Sequence, residues 1–299
     1  MNKQKTALLI GNDINKINNR QSWEQLLKKV ILHLEIGNEV DSEKLKSKPF
    51  PLLYEEIFLR ALAKDKHSEI ELKKLIVKLT IEIEHNIIHE RIMNMGILDV
   101  MTTNYEYSLQ RSTARSSEDL RNVGYIKERT YNIFRHNEVN KTKVWHIHGE
   151  CNIPRSITLG YEQYCGLLQQ MRNYIVSGTE YKNKEKNLVA LIKRIDNNEI
   201  QEHSWLDLFF SKDIHIIGLS LDTAEIDLWW LLTYRARQML QKDGLRVNNT
   251  IYYYHPARYK TDIYKSKLQL LEANQVKIIS IDIDDKTKYY NKILDIIEK

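Results

Sequence analysis

Short apolar segments, each followed by glycine or by small polar residues, recur along the chain and limit the folds open to it. Their length and composition are typical of β-strands. Segments with helical spacing separate them, which predicts a parallel α/β sheet carrying helical insertions. The strand candidates are 7–10, 97–101, 144–148, 214–217, 251–254 and 276–281.

Several of these segments end in residues able to contact a ligand. The run at 7–10 leads into Gly-Asn-Asp-Ile-Asn, the run at 97–101 into Thr-Thr-Asn-Tyr-Glu, and the run at 214–217 into Gly-Leu-Ser-Leu-Asp. Open α/β sheets bind ligands outside the carboxyl ends of their strands. Each ending alone is compatible with an ordinary loop, but together they predict a binding crevice.

The segment 144–149, Val-Trp-His-Ile-His-Gly, is the most informative of these strand ends. Alternation along a strand would place His146 and His148 on one face and Trp145 on the other, and Gly149 allows a sharp turn. A histidine at this position is suited to act as a general base, because its ordinary pKa is near neutrality. The alternative is that local hydrogen bonds satisfy both histidines and that neither reacts.

A first helical insertion is predicted near 22–95. Ser22 and Gln25 form a capping-box pattern ahead of apolar residues at helical spacing. The stretch 53–94 continues as charged segments with an apolar stripe, so we expect helices that pack over the sheet.

A second helical insertion is predicted near 160–205, with an interruption at 177–178. Residues 119–140 lack strong periodicity and predict an irregular excursion near the ligand. We see no internal repeat and no low-complexity linker, so residues 1–299 are predicted to form a single domain.

The bulk composition narrows the class of protein. The 299 residues include 42% apolar side chains, enough for a substantial core, and 2 cysteines, which indicate a reducing compartment and no disulfide framework. The polar start and short first apolar run do not fit a secretion signal, and no stretch is long and apolar enough to span a bilayer. We therefore expect a cytoplasmic protein that does not enter a membrane.

The charge pattern does not point to direct nucleic-acid binding. The net charge of +5 arises from 45 basic and 40 acidic residues scattered along the chain, and no arginine-rich or aromatic-interleaved run stands out. One basic stretch has acidic residues close by, which predicts a solvated surface. Its basic members are Arg111, Arg115, Arg121, Lys127, Arg129 and Arg135, and its acidic members are Glu118, Asp119 and Glu128.

In the order of these motifs the chain resembles the sirtuin-like (silent information regulator type) proteins. The resemblance is closest to the bacterial domains associated with anti-phage defence. In that family a Gly-containing loop after the first strand holds the NAD diphosphate and ribose, and a Thr-x-Asn segment supplies a catalytic asparagine. A His-Gly pair then supplies the catalytic histidine, and a Gly-x-Ser-Leu segment holds the adenosine ribose. The corresponding segments here are 11–15, 102–104, 148–149 and 218–221, and the strings at 154–161 and 225–230 also look like the bacterial branch.

The resemblance implies a role for each matching residue. Asn104 and His148 would be catalytic: Asn104 would bind a ribose hydroxyl or position a water, and His148 would accept a proton. Judged by its own segment, Asn104 is equally compatible with a turn or a helix cap. His146 would be a supporting residue rather than the base. The residues expected to bind NAD are Gly11, Asn12, Asp13, Asn15, Thr103, Gly218, Ser220, Leu221 and Asp222.

The chain also departs from the family pattern. Sirtuin deacylases usually hold a structural zinc with four cysteines, whereas Cys151 and Cys165 cannot form such a site, so we expect no metal and no zinc module. Asp13 stands where a diphosphate is expected, although its carboxylate is also suited to bond a ribose hydroxyl. Glu106 replaces the more frequent aspartate, and the roles of Glu225 and Asp227, which either bond the adenosine side or cap a helix, stay open.

The resemblance implies an NAD hydrolase that releases nicotinamide and ADP-ribose, or a cyclic form of it, and depletes NAD during phage infection. The alternatives are a non-catalytic sensor of NAD or ADP-ribose that controls a partner, and an NAD-dependent protein deacylase. An unregulated NAD hydrolase would kill its host, so we expect restraint by homo-oligomerisation or by a partner such as a HerA-like ATPase. The chain itself has no Walker sequence.

Overall fold

A computed structural model of the 299-residue chain describes residues 2–18, 23–41, 44–64, 68–114, 121–124, 128–183, 186–242, 247–259 and 261–299. Ser22 of the predicted capping box lies outside these ranges, as do Arg115, Glu118, Asp119 and Lys127 of the basic stretch. None of the helices in these ranges combines the length and the apolar character that a membrane-spanning helix needs.

An eight-stranded, mostly parallel sheet organises the fold and confirms the predicted α/β, Rossmann-like class. The strands along the chain are β1 (Thr6–Ile10), β2 (Asp99–Thr102), β3 (Arg121–Val123), β4 (His136–Val139), β5 (Thr142–His146), β6 (Thr179–Asn183), β7 (Lys186–Leu188), β8 (Asp213–Ile217), β9 (Ile251–Pro256) and β10 (Val276–Ile281). The order in the large sheet is β10-β9-β8-β1-β2-β5-β4-β3, and the separate pair β6-β7 is antiparallel. Neighbours from β10 to β5 are parallel, whereas β4 and β3 continue the sheet as antiparallel strands.

Helices lie on both faces of this sheet, and the first three along the chain pack in a core cluster of their own. They are α1 (Trp23–His33), α2 (Phe50–Leu62), α3 (Glu69–Thr80), α4 (Ile87–Asn94), α5 (Ser108–Arg111), α6 (Tyr161–Arg172), α7 (Leu191–Asp196), α8 (Trp205–Ser211), α9 (Ile226–Leu240), α10 (Asp262–Ala273) and α11 (Lys286–Glu298). Alternate β1 side chains enter different cores: Ala7 and Leu9 pack with residues of α8 and α9, and Leu8 and Ile10 pack with residues of α4 and α11. The strand is therefore buried on both faces, as expected for the centre of a parallel sheet.

The position of β1 determines where a ligand can bind. Along the chain β1 is followed by β2 on one side of it, and β8 later pairs on the other side. A reversal of strand order of this kind leaves a crevice outside the carboxyl ends of the neighbouring strands. The loops after β1, β2 and β8 meet there, so the predicted strand ends do converge.

Helices occupy most of both segments predicted to be helical, but α2 and α3 do not pack over the sheet as expected. Together with α1 they form a separate core cluster that, among the described residues, contains no strand residue, and of the helices between 53 and 94 only α4 packs with residues of β1 and β2. The region near 22–95 contains α1 to α4, and α6 continues into a short π-helix, Asn173–Ser177, at the predicted interruption. The described part of 119–140 is not wholly irregular, because β3 and β4 lie in it. That expectation was wrong because strands of three and four residues are too short to show a period. A single domain over 1–299 stays a prediction.

The predicted solvated surface is wrong for two of its charged residues. Arg135 is 1% exposed and Glu128 is 6% exposed. The Arg135 Nε donates to the Glu150 carboxylate at 2.5 Å, and Glu128 accepts the backbone N–H groups of residues 133–135. The carboxylate of Glu150 thus compensates the charge of Arg135, and backbone donors compensate that of Glu128, neither of which the pattern of charges along the chain indicated.

Candidate functional site

The loop after β1 lies against the loop after β8. The N–H of Gly11 donates to the Ile217 carbonyl, and the N–H of Asp13 donates to the Gly218 carbonyl, both at 2.9 Å. A Cβ on Gly11 would lie 2.4 Å from the Gly218 oxygen, well inside van der Waals contact, and Gly218 has a φ of +66°. These glycines therefore bring two of the predicted nucleotide-binding loops together.

Asp13 is neutralised by the protein itself. Lys286 Nζ donates to Oδ1 at 3.0 Å, the Tyr290 hydroxyl donates to Oδ2 at 2.6 Å, and Lys16 Nζ lies 3.4 Å from Oδ1. Burial alone would raise the pKa of Asp13, but the Tyr290 hydrogen bond and the Lys286 charge hold it below its ordinary value. The ionised carboxylate is balanced by two lysines, so it does not by itself repel a diphosphate.

Asn15 connects the loop after β1 with the loop after β2. Its Nδ2 donates to Asn12 Oδ1 at 2.9 Å and to Glu106 Oε1 at 2.8 Å, and its side chain is buried. Glu106, whose role the sequence left open, is thus an internal hydrogen-bond acceptor. Both side chains shape the loops, and the predicted contact of Asn15 with NAD would need its Oδ1, which has no partner among the described residues.

The backbone of Asn104 is held from both sides. Its N–H donates to Thr102 Oγ1 at 3.0 Å, and its carbonyl accepts from His146 Nδ1 at 2.7 Å. His146 Nε2 lies 2.6 Å from the carboxamide nitrogen of Gln110, which agrees with a supporting role for His146. Asn104 is 5% exposed, and its carboxamide has no hydrogen-bond partner in the described part of the chain.

His148 lies beyond the end of β5, where Gly149, with a φ of +93°, turns the chain. The strand stops at His146, so the shared strand face predicted for the two histidines is not present. His148 Nε2 is 2.8 Å from Asp227 Oδ2 in the first turn of α9, and the ring of Tyr164 packs edge-on against it at 5.3 Å. Burial lowers the pKa of His148, but attraction to Asp227 and Glu225 outweighs it and leaves the pKa raised.

A cavity of about 290 Å³ opens beside these loops. Of the predicted nucleotide-binding residues it is lined by Asn12, Asp13, Thr103, Gly218 and Ser220. The lining that the described residues provide does not include Gly11, Asn15, Leu221 or Asp222, nor either predicted catalytic residue. Thr103 immediately precedes Asn104, and Glu225 lines the cavity while its charge acts on His148. The cavity therefore reaches the boundary of the region that contains Asn104 and His148.

The residues of the segment 218–222 have different roles. Ser220 is exposed, and its carbonyl accepts from Lys267 Nζ at 2.6 Å. Leu221 has a φ of +46°, and its side chain is 0% exposed in the core, so only its backbone could touch a nucleotide. The Asp222 N–H donates to Glu225 Oε2 at 2.9 Å. Glu225 is thereby fixed at the beginning of α9, and burial raises its pKa to about 7.

Sequence reasoning missed the far wall of the cavity. That wall consists of aromatic residues and one lysine from β9, α10, α11 and the loops between them: Tyr253, Tyr254, Tyr259, Tyr264, Lys267, Tyr289 and Tyr290. Lys267 Nζ lies 4.3 Å from the centre of the Tyr264 ring. The sequence contains the tyrosine run of β9 and the Tyr-Tyr pair of α11. That both line the same cavity depends on the order of the strands in the sheet, which the sequence did not predict.

The cysteines and acidic side chains form no metal site in the part of the chain that the structure describes. No group of three or more His, Cys, Asp or Glu side chains there could hold an ion. Cys151 is buried, and burial raises the pKa of its thiol to about 12, whereas Cys165 is exposed. The arrangement that remains is a buried amide, a histidine paired with a carboxylate, and an adjacent polar and aromatic cavity. It is suited to proton transfer and to holding a nucleotide.

Comparison with known proteins identifies the family. Residues 99–279, more than half of the chain, match the SIR2-like domain. No curated protein matches the chain. SIR2-like domains use NAD, and the match includes Thr103, Asn104, His148 and the 218–222 loop. The chain therefore belongs to the SIR2-like domain family.

Proposed function

We propose that this chain hydrolyses NAD to nicotinamide and ADP-ribose. The observation that carries the proposal is the proximity of Asn104 and His148 to a cavity lined by residues predicted to bind the dinucleotide. Thr103 and Glu225 both line that cavity. Thr103 immediately precedes Asn104 in the chain, and the charge of Glu225 acts on His148. Binding and chemistry therefore share one edge of the sheet.

In the proposed pose the adenosine half lies toward β9 and α10. Tyr253 and Tyr264 offer ring faces there for a base, and Lys267 and Lys16 offer positive charge for the diphosphate. The sheet order puts β2 and β5 on the opposite side of β1, so the nicotinamide ribose points toward Asn104 and His148.

The chemistry requires little acid catalysis at the leaving group. The bond between C1′ and the pyridinium nitrogen breaks with its electron pair on nitrogen, so nicotinamide leaves neutral. Water forms the new C1′–O bond and gives its proton to His148. Asn104 holds the ribose hydroxyl or that water, because a carboxamide both donates and accepts hydrogen bonds. ADP-ribose, nicotinamide and one proton result.

The second candidate is a sensor that binds NAD or ADP-ribose without cleaving it. The specific observation in its favour is that Asn104 is 5% and His148 2% exposed, with the Tyr164 ring packed edge-on against His148. A nucleotide could fill the cavity without reaching them. Hydrolysis needs the nicotinamide ribose to reach these two side chains, whereas sensing does not.

As part of the proposal, NAD hydrolysis serves to deplete NAD in anti-phage defence. Restraint then comes from homo-oligomerisation or from a partner such as a HerA-like ATPase. The support for this part of the proposal is the family resemblance of the motifs together with the burial of His148. A full chain that hydrolyses NAD at one rate across a dilution series spanning its oligomeric states would count against restraint by oligomerisation.

The experiment compares nicotinamide release by wild type, Asn104→Ala and His148→Ala, with and without an acetyl-lysine peptide. His85→Ala is the matched control, because His85 is a partly exposed histidine paired with Glu90 outside the site. We expect release without peptide that both site variants abolish and the control retains. Release only with peptide would support deacylation, and calorimetric binding of NAD without release would support the sensor.

A further inference from the structure

Asp227 is a buried carboxylate with an unusual lack of partners. It is 0% exposed, and its Oδ2 bonds His148, which is 79 residues away in the chain. Its Oδ1 is buried with no hydrogen-bond partner among the described residues. Burying a carboxylate costs several kcal/mol unless hydrogen bonds and opposite charge compensate it. A buried carboxylate with only one of its two oxygens hydrogen-bonded is therefore a candidate for a function other than stability.

The other buried aspartates in the described part of the chain show the contacts of a structural role. Both oxygens of Asp207 accept from the Tyr174 hydroxyl, at 2.8 and 2.9 Å, and Arg194 pairs with it at 3.2 Å. Asp99 accepts from Trp145 Nε1 at 3.1 Å and from Lys212 Nζ at 2.5 Å. Each of these has a cation as a partner and both oxygens engaged. Within the described ranges, the one side-chain partner of Asp227 is the imidazole of His148.

The contact with Asp227 decides which nitrogen of His148 carries the hydrogen. An ionised carboxylate only accepts hydrogen bonds, so Nε2 must be the donor. In the neutral ring the lone pair then lies on Nδ1, which has no hydrogen-bond partner among the described residues. Only Nδ1 is left to accept a proton from a substrate or a water.

We propose that Asp227 is a positioning residue that holds His148 with Nε2–H toward α9 and Nδ1 toward the reacting ribose, and that stabilises the imidazolium formed there. The role in the reaction rests on the proposed NAD hydrolysis, but the tautomer does not. The ionisable groups that face His148 are Asp227 and Glu225 at the beginning of α9 and the phenol of Tyr164 in α6, with Tyr105 beside the two carboxylates. Attraction to the carboxylates is what raises the pKa of His148.

The kinetic test is the pH dependence of nicotinamide release by Asp227→Asn. The asparagine amide can donate to Nε2, which places the hydrogen on Nδ1 and removes the base. We expect kcat to fall by roughly 10²-fold or more, KM for NAD to stay within about threefold, and the acidic midpoint of any residual rate to move to lower pH. Asp207→Asn is the matched control: it removes another fully buried charge, so it lowers Tm but leaves kcat and the midpoint unchanged. An Asp227→Asn enzyme with unchanged kcat and midpoint would overturn the proposal.

A second measurement depends neither on activity nor on a change at Asp227. The wild-type protein is labelled with ¹⁵N-histidine, and the His148 signals are assigned as those that disappear in His148→Gln. At a pH above the pKa of the ring, the two ¹⁵N chemical shifts of His148 report which nitrogen carries the hydrogen. We expect protonated Nε2 and bare Nδ1. The opposite tautomer would contradict the inference even if NAD is hydrolysed. The expected tautomer in a protein that leaves NAD intact would retain the positioning of His148 and refute only the proposed hydrolysis.

Discussion

Replacement of Glu150 by glutamine tests the buried charge network that supports the site. Arg135 and Glu150 are each 1% exposed, and Arg135 Nε donates to Oε1 at 2.5 Å. The other oxygen, Oε2, accepts from the Tyr107 hydroxyl at 2.5 Å and from Asn137 Nδ2 at 3.0 Å. Both oxygens face donors only, so a glutamine amide group must face a donor in either orientation. The change also leaves the Arg135 charge without its counterion.

Removing one partner of a buried ion pair costs about 3–5 kcal/mol, because the remaining charge stays desolvated. For a chain of this size that corresponds to a fall in Tm of roughly 6–10 °C, taking about 2 °C per kcal/mol. We expect a loss of this size for Glu150→Gln in calorimetry or in circular dichroism melts. His146 bonds the Asn104 carbonyl on one side, and its own carbonyl accepts from Asn132, a partner of Arg135, so nicotinamide release should fall as well.

The control is Asp295→Asn, which removes the charge from an ion pair with Arg91 whose carboxylate is 52% exposed. Water screens that pair, so we expect a change in Tm several-fold smaller. The reasoning would be refuted if Glu150→Gln melted within about 2 °C of wild type, or if the exposed substitution cost as much as the buried one.

Three further predictions follow from single contacts. A Cβ on Gly11 would lie 2.4 Å from the Gly218 oxygen, so Gly11→Ala should weaken ADP-ribose binding in calorimetry. Gly37→Ala is the control, because a Cβ there has open space around it and should leave the affinity unchanged. Equal affinities of the two variants would contradict the loop contact. The thiol of Cys151 is buried with its pKa raised to about 12, so one rapid reaction with a thiol reagent is expected in the native protein, and Cys165→Ser should abolish it. Burial raises the pKa of Glu225 from 4.5 to about 7, so the folded chain retains a proton that the unfolded chain releases, and stability falls as pH rises through that window. Glu225→Gln should flatten this fall in a series of melts, and an unchanged slope would exclude the buried acid as its cause.

The strand ends were predictable because their signals are local. A run of apolar residues that stops at Gly11 or Gly218 shows both the strand and its end within about ten residues, and the helices around α2 to α4 have a stripe of their own. The α/β class follows from the alternation of these segments. Strands β3 and β4 were not predicted, because neither is long enough to show a period.

The partners of buried charges were not predictable from the sequence. Asp227 reaches His148 across 79 residues and Glu106 reaches Asn15 across 91, so neither pair leaves a pattern in its own segment. The sequence places Arg135 in a basic stretch that was predicted to be a solvated surface, but in the structure Arg135 is buried in an ion pair with Glu150. The tyrosine wall of the cavity likewise depends on β9 lying beside β8, which only the order of the sheet determines.

Product analysis of NAD incubated with the purified full chain, without any peptide, tests the central claim most directly. We predict that mass spectrometry will find nicotinamide and ADP-ribose, or its cyclic form, in equal amounts that grow with time. Asn104→Ala should leave the NAD intact. Recovery of unchanged NAD from wild-type protein that calorimetry shows to be saturated with it would contradict hydrolysis, and the cavity would then be a binding site alone.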